Sequence, residues 1–189
     1  SKILIKEISQ TLDFIEQDPS IRGVIFRGKG NVFCAGADLK WMQSIASEKN
    51  NARNKAIKMS IKFGKIFTKI SNLSKITISV VEGACMAGAV GIASGTDFLV
   101  STSDATYALT ETKIGLTPAQ IAPYVIKKER LNIGKKHMLL GEVFNGEEAL
   151  LVGMADFVVK DARHLDSEVL KIMNKVKKCS PNGITVTKN

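Results

Sequence analysis

The sequence predicts an α/β fold in a single domain that spans residues 1–189. Apolar runs of strand length alternate with longer segments whose apolar residues recur at helical spacing, a pattern typical of α/β domains. The composition, 44% hydrophobic and 24% charged, is that of a globular protein with a sizeable core. Neither a fixed-period repeat nor a low-complexity linker divides the chain, so we predict one domain.

The first half of the chain is predicted to begin with a helix whose apolar residues run from Ile3 to Ile15. That helix ends before Pro19, because the residue that precedes a proline disfavours the helical conformation. Asp38 is the predicted N-cap of a second, short helix. The elements after the opening helix are predicted as a strand at 22–27, the short helix at 39–45, an amphipathic helix at 52–70 and a strand at 76–81.

The second half of the chain alternates strands and helices in the same way, with turn-forming residues between them. Two short strands are separated by a Ser-Asp turn, and a closing helix follows the last strand. The predicted strands are 98–101, 106–109 and 157–159, and the predicted helices are 118–127, 132–140, 147–152 and 164–178.

The formal net charge of +9 comes mainly from lysines. In the predicted helix at 52–70, lysines recur at steps of three and four on one face while apolar residues line another. The members of this lysine stripe are Lys55, Lys58, Lys62, Lys65 and Lys69. A basic stripe suits either solvent or an anionic partner such as nucleic acid. Because no nucleic-acid-binding motif is recognisable, we interpret the stripe as a solvated face and predict no nucleic-acid partner.

The cysteines and histidines suggest neither a metal site nor a disulfide framework. Three cysteines and two histidines stand at spacings unrelated to ligand motifs. This usage suits a reducing compartment, and no apolar run reaches the roughly 20 residues of a membrane-spanning helix. We therefore predict a cytoplasmic protein with no bound metal and no membrane partner. Because the chain begins with Ser1 rather than Met, we expect it to be a piece of a longer protein.

Two stretches of small residues each follow a predicted strand and precede a helix. The first runs from Ala35 to Ala37, and the second, GACMAGAVGIASG, contains Gly88 where a helix should begin. Small side chains let a ligand approach the backbone, and the free N–H groups of a helix start attract negative charge. Two such corners can each direct one N–H at a common oxygen and so form an oxyanion hole. Tight packing of helix against strand is the alternative explanation, and neither stretch contains a glycine motif for dinucleotides or phosphates.

Glu111 is a candidate catalytic acid or base. It lies in the segment ALTETKIGLTPAQ, after a predicted strand and before a Gly-Leu-Thr-Pro turn. Apolar neighbours are expected to raise its pKa, which would suit proton transfer near neutral pH. The alternative is an ordinary solvated carboxylate in a loop.

Three segments, FCAGADLKWM, VEGACMAGAVGIASGTD and TETKIGLTPAQIAPYV, together resemble the enoyl-CoA hydratase/isomerase (crotonase) superfamily. They stand in the family's order, and GLTPAQIAPYV is similar to the branch of methylglutaconyl-CoA and isohexenylglutaconyl-CoA hydratases. The resemblance implies a crotonase-like spiral of ββα units, a homotrimer or hexamer, and an acyl-CoA thioester as substrate. It implies no cofactor apart from the coenzyme A carried by that substrate. It also implies that the family's N-terminal strand region and C-terminal helices lie outside this chain.

The resemblance also implies roles for individual residues. The N–H groups of Ala37 and Gly88 are expected to form the oxyanion hole, and Glu111 matches the second of the family's two catalytic glutamates. The residues expected along the adenine and pantetheine of coenzyme A are Ala35, Gly36, Asp38 and Leu39, with Lys40 near the phosphates.

Three positions depart from the family pattern. Gly91, which we include among the expected substrate-binding residues, stands where hydratases have their first glutamate. The usual three glycines are replaced by Ala87-Gly88-Ala89, and the proline before the catalytic glutamate is Thr110.

A single glutamate leaves several functions open, among them other acyl-CoA reactions that pass through an enolate-like thioester. We predict an enoyl-CoA hydratase in which one carboxylate takes a proton from water and returns it to the α-carbon of a 2-enoyl-CoA thioester. One alternative is a Δ3,Δ2-enoyl-CoA isomerase, because moving a proton between two carbons requires only one carboxylate. Another is a non-catalytic acyl-CoA-binding member of the family, since a fold hosts more than one function.

Overall fold

The computed structural model describes residues 2–36 and 51–188, and within them strands and helices alternate along the chain. The strands are β1 (Gly23–Arg27), β2 (Ile76–Val81), β3 (Ala84–Met86), β4 (Phe98–Thr102), β5 (Thr106–Ala108), β6 (Val143–Asn145) and β7 (Phe157–Val159). The α-helices are α1 (Lys2–Gln17), α2 (Ala52–Asn72), α3 (Gly88–Gly95), α4 (Ala122–Lys128), α5 (Leu131–Leu140), α6 (Gly146–Val152), α7 (Leu165–Val176) and α8 (Pro181–Lys188). Short 3-10 helices are formed by Glu111–Ile114 and Ala162–His164.

Four strands form a parallel sheet in the order β1-β2-β4-β7. All six residues of β2 are buried, because this central strand is covered on both faces, as is usual in parallel sheets. Helix α7 packs against the sheet through Val169 and Ile172, which join Ile78 and Val100 in one apolar cluster.

A smaller sheet, in the order β3-β5-β6, carries the candidate site. Strands β3 and β5 run parallel with Cys85 opposite Tyr107, and β6 runs antiparallel to β5. The apolar cluster beneath this sheet joins Phe67 of α2 to Val90 of α3 and to Ile121. The sheet is therefore held against α2 and α3 by the main core of the protein.

Helix α2 presents its apolar face inward and its lysines outward, as its periodicity predicts. Ile66 and Ile70 pack against Leu12 of α1, whereas the lysine stripe is exposed apart from the half-buried Lys69. The Lys69 ammonium forms an ion pair with Asp13 at 2.7 Å and so ties α2 to α1. The interpretation of the stripe as a mainly solvated face agrees with this arrangement.

Most of the predicted elements are confirmed, and the differences have local causes. Helix α4 begins at Ala122 rather than 118, because the N–H groups of Ile121 and Ala122 both donate to the carbonyl of Pro118 and close a turn there. Strands β3 and β6 and helix α8 were not predicted, since three-residue strands and an eight-residue polar helix leave little periodicity to detect. The predicted helix at 39–45 and its cap Asp38 lie outside the described residues.

Within the described residues, no helix combines the length and apolarity that crossing a membrane requires.

Candidate active site

The first small-residue corner is joined to the second by backbone hydrogen bonds. The N–H of Cys34 donates to the carbonyl of Ala84 at 2.9 Å, and the N–H of Met86 donates to the carbonyl of Cys34 at 3.0 Å. These bonds make a parallel bridge between Cys34 and Cys85, at the level where β3 approaches α3. The two corners, far apart in sequence, therefore lie side by side.

Gly36 shows how closely the first corner approaches the second. A β-carbon built on Gly36 would lie 3.6 Å from the Met86 carbonyl oxygen and 4.0 Å from the Ala87 β-carbon. Its φ of +102° also favours glycine, because side chains clash with the backbone in that region. Of the predicted coenzyme A contacts, Ala35 and Gly36 lie in this corner, whereas Asp38, Leu39 and Lys40 lie outside the described residues, as does Ala37.

The second corner is a sharp turn from β3 into α3. Ala87 has φ of +52° and ψ of −122°, a conformation in which a residue with a side chain is strained. Its N–H donates to the carbonyl of Ala108 at 2.8 Å, which holds the turn against β5. The strained residue immediately precedes Gly88, the first residue of α3, and its conformation orients the Gly88 N–H.

Gly88 presents a free N–H at the positive end of a helix. The first N–H groups of an α-helix have no acceptor within it, and the Gly88 N–H donates to no residue that the structure describes. A β-carbon built on Gly88 would have no heavy atom within 4 Å among those residues, so no described side chain crowds the start of α3 on that side. This corner can hold a negatively charged oxygen.

Glu111 begins the 3-10 helix that follows β5. The pairing of Met86 with Ala108 and the hydrogen bond from Ala87 to Ala108 place the end of β5 beside the second corner. The Oε2 atom of Glu111 is buried and has no hydrogen-bond partner among the described residues. Burial raises the pKa of Glu111, partly offset by a hydrogen bond from its own backbone N–H, which confirms the expected direction. A half-buried carboxyl with a raised pKa suits proton transfer near neutral pH.

Gly91 faces the protein interior rather than an opening. A β-carbon built there would lie 2.2 Å from Cγ2 of Ile121, 2.9 Å from its Cβ and 3.2 Å from Cε1 of Phe67. Both neighbours are almost fully buried, at 3% and 2% exposure. Ile121 therefore occupies the space that the first atoms of a longer side chain at position 91 would need. A contact between Gly91 and the substrate stays a prediction.

A buried polar pair, His137 and Glu129, lies next to the aromatic side chains of the small sheet. The ring of Phe144 is stacked between Tyr107, at 5.4 Å between centroids, and His137, at 4.2 Å. Nδ1 of His137 lies 3.1 Å from the carboxylate of Glu129, whose side chain has no exposed surface. Burial raises the pKa of Glu129, and the neighbouring imidazole opposes that rise. This pair supports helices α4 and α5 and belongs to the packing of the sheet.

Sequence reasoning identified Gly36, Gly88 and Glu111, and the structure places their segments next to one another. It missed Ile121, because a single isoleucine after a proline-containing turn has no pattern that marks it as the neighbour of Gly91. It also missed the positive φ of Ala87. The replacement of a family glycine by alanine at that position was the available signal.

A family model described as enoyl-CoA hydratase/isomerase matches residues 1–189. Among solved structures, an enoyl-CoA hydratase/isomerase from Marinobacter aquaeolei is 32% identical with a TM-score of 0.90, covering 97% of this chain and 70% of that one. Pseudomonas aeruginosa AtuE is 30% identical with a TM-score of 0.91, covering 98% of this chain and 71% of that one. These likenesses and the parallel sheet confirm the α/β, crotonase-like fold that the sequence predicts.

The curated relatives include human mitochondrial methylglutaconyl-CoA hydratase, which is 28% identical over 188 residues. The match covers 97% of this chain and 53% of that protein. The chain therefore spans about half the length of that relative.

Proposed function

Because the chain belongs to the enoyl-CoA hydratase/isomerase family, we propose that it is an enoyl-CoA hydratase that adds water to a 2-enoyl-CoA thioester with Glu111 as its one catalytic carboxylate. The observation that carries the proposal is that Oε2 of Glu111 is buried and has no hydrogen-bond partner among the described residues. Glu111 follows β5, whose last residue, Ala108, pairs with Met86 and accepts a hydrogen bond from Ala87 in the corner that precedes Gly88. A carboxylate oxygen of this kind has its hydrogen-bonding capacity available to a substrate or a water molecule.

In the proposed reaction the thioester oxygen accepts hydrogen bonds from the N–H groups of Gly88 and Ala37. Negative charge grows on that oxygen as the thioester becomes enolate-like, and the positive end of α3 stabilises it. Removing one donor from such a site typically costs about 2.7–4 kcal/mol of transition-state stabilisation. The strained turn at Ala87 holds the Gly88 donor in place before substrate arrives.

Glu111 then handles a single proton. Its carboxylate accepts a proton from water while the water oxygen bonds to the β-carbon, and the electrons of the double bond move toward the thioester oxygen. The same carboxyl returns the proton to the α-carbon, so the enzyme ends in its starting state. The raised pKa of Glu111 favours both halves of this cycle near neutral pH.

The carrier portion of the substrate is proposed to lie along the first corner. Ala35 and Gly36 leave the backbone accessible there, and Asp38 and Leu39 are proposed to continue the contact with the adenine and pantetheine. Lys40 is proposed to meet the phosphates. The homotrimer or hexamer also remains a proposal, which light scattering of the full-length protein would test.

One observation favours a second candidate, a Δ3,Δ2-enoyl-CoA isomerase. Position 91 in α3 is a glycine and therefore supplies no carboxylate, and Ile121 fills the space in which a longer side chain would begin. Isomerisation moves a proton from the α-carbon to the γ-carbon and requires only one carboxylate. The two reactions share the oxyanion corner and differ in whether water becomes part of the product.

The discriminating experiment supplies the full-length protein with a panel of 2-enoyl- and 3-enoyl-CoAs in water enriched in heavy oxygen. A hydratase incorporates the label into a 3-hydroxyacyl-CoA, whereas an isomerase converts 3-enoyl-CoA to 2-enoyl-CoA without label. Unlabelled isomerised product as the dominant outcome would overturn the hydratase proposal. Absence of both products, with acyl-CoA still bound, would indicate the non-catalytic family member.

The variant Glu111→Gln tests the role of the carboxylate. We expect turnover to fall by about 10²–10⁴-fold, the usual contribution of a general acid–base group, while acyl-CoA binding is retained. The matched control is Glu142→Gln, because Glu142 is an exposed glutamate paired with Lys136 at 3.0 Å, and its loss should leave turnover unchanged. Equal turnover in both variants would exclude Glu111 from the chemistry.

A further inference from the structure

Two cysteines face each other across the strands that carry the two corners. Cys34 lies two residues before Gly36, and Cys85 lies three residues before Gly88. The N–H of Cys34 donates to the carbonyl of Ala84 at 2.9 Å, and the carbonyl of Cys34 accepts from the N–H of Met86 at 3.0 Å. These two hydrogen bonds place Cys34 directly opposite Cys85 in a parallel bridge. Opposed residues of neighbouring parallel strands point their side chains to the same face of the sheet.

The spacing of such a pair is compatible with a disulfide. Neighbouring strands lie about 4.8 Å apart, and disulfide-bonded cysteines usually have α-carbons about 4.4–6.8 Å apart. Their β-carbons must approach to about 3.5–4.5 Å, so closing the bond would draw the two strands slightly together. Both cysteines are free thiols in the structure.

The two thiols differ in accessibility in a way that suits stepwise oxidation. Cys85 has no exposed surface, and burial raises the pKa of its thiol, so it is a poor target for an oxidant in solution. Cys34 is partly exposed, and its thiol makes a long contact of 3.9 Å with the carbonyl oxygen of Gly36. An oxidant therefore reaches Cys34 first, and Cys85 is placed to react with the product.

We propose that Cys34 and Cys85 form an oxidisable thiol pair whose disulfide joins the two corners and changes acyl-CoA turnover. With hydrogen peroxide as oxidant, the Cys34 sulfur attacks one peroxide oxygen, the O–O bond breaks, and water leaves behind a sulfenic acid. The Cys85 sulfur then attacks the Cys34 sulfur, the S–O bond breaks, and a second water leaves. Two thiols lose two protons and two electrons, and peroxide is reduced to two water molecules.

The third cysteine, Cys179, is exposed and lies after α7, outside the small sheet, so the test uses Cys179→Ser as its background. This full chain is treated with hydrogen peroxide, alkylated under denaturing conditions and digested with trypsin, with and without prior reduction. Trypsin places Cys34 in peptide 30–40 and Cys85 in peptide 76–113. We expect these peptides to be recovered as one reducible cross-linked species, in parallel with loss of both free thiols.

Matched variants separate the cross-link from other oxidation. Cys34→Ser and Cys85→Ala, each in the same background, should give no cross-linked peptide, and using both guards against one of them failing to fold. The test is read at peroxide concentrations that oxidise Cys179 in the wild-type chain. The thiol pair would be overturned if both peptides were recovered alkylated at these concentrations, or if Cys34 were recovered only as sulfinic acid.

The effect on turnover rests on the proposed function, whereas the cross-link is measured without any acyl-CoA. A 1 Å displacement of catalytic groups can cost up to about 100-fold in rate, so we expect oxidation to lower turnover by about tenfold and reductant to restore it. Oxidation that forms the cross-link yet leaves turnover unchanged would overturn the switch. A chain that turns over no acyl-CoA in either state would refute the proposed function and this switch together, and the cross-link result would stand by itself.

Discussion

An alanine at position 91 should destabilise the protein by about 1–2 kcal/mol, although alanine is a better helix former than glycine. The added β-carbon would lie 2.2 Å from Cγ2 of Ile121 and 2.9 Å from its Cβ, whereas carbon atoms in contact are about 3.5–4.0 Å apart. Rotation about χ1 moves Cγ2 but leaves Cβ in place, so the backbone of α3 or of the turn at Ile121 must shift. Overpacking of this kind costs about 1–3 kcal/mol, and replacing a helical glycine returns only about 0.5–1 kcal/mol.

The measurement is the free energy of unfolding in denaturant, with Gly95→Ala as the matched control on the same helix. A β-carbon at Gly95 would meet its nearest neighbours at 3.8 Å, an ordinary contact, so this variant should be neutral or slightly stabilised. Ile121→Ala removes the atom at 2.2 Å, and the double variant should show a coupling of about 1 kcal/mol or more with Gly91→Ala. Equal stability of the Gly91→Ala and Gly95→Ala proteins, or no coupling to Ile121, would refute the packing argument.

Three further predictions concern stability. Ala87→Gly should stabilise the protein by about 1 kcal/mol, because relief of the strain at φ of +52° exceeds the entropy cost of glycine. The control Ala89→Gly, within α3, should instead destabilise the protein. Thermal unfolding of both variants measures the difference. Burial raises the pKa of Glu111 in the folded state, so the stability of the wild-type protein falls as pH rises through that pKa. The free energy of unfolding of Glu111→Gln, measured relative to wild type, should therefore be higher at neutral pH than below pH 4.5. The same difference from wild type at both pH values would contradict the burial of this carboxyl. His137→Ala leaves the buried carboxyl of Glu129 without the imidazole that lies 3.1 Å away and should cost about 1–3 kcal/mol in urea unfolding, whereas no loss of stability would show that the carboxyl does not need this partner.

Local sequence patterns predicted the strands and helices well where apolar residues recur at a regular spacing or form an unbroken run. The alternation of apolar and lysine positions in α2 and the unbroken apolar run of β2 were sufficient to identify both. The glycine at the start of α3 and the position of Glu111 after a strand were likewise visible in the sequence. These features depend on residues only a few positions apart, which is the range over which periodicity and capping act.

Contacts between distant segments were not visible in the same way. Nothing in the sequence indicates that Cys34 lies opposite Cys85, because the register of parallel strands is decided by the packing of the helices that connect them. The neighbour of Gly91 could not be predicted for a similar reason. Ile121 lies in the turn that begins at Pro118, thirty residues along the chain from Gly91, and only the packing of that turn on α3 brings the two together.

The amino-acid sequence by itself indicated the longer strands and helices in their order, the two corners of small residues and the acidic side chain that follows β5, but not strands β3 and β6 or helix α8. The tertiary structure decided that these corners are neighbours, that Oε2 of Glu111 is buried with no hydrogen-bond partner in the part of the chain that the structure describes, and that Ile121 fills the space beside Gly91. The physical reason is one of range. Backbone preferences and hydrophobic periodicity act within a few residues, whereas burial, pKa and the pairing of distant backbone segments depend on how whole elements pack.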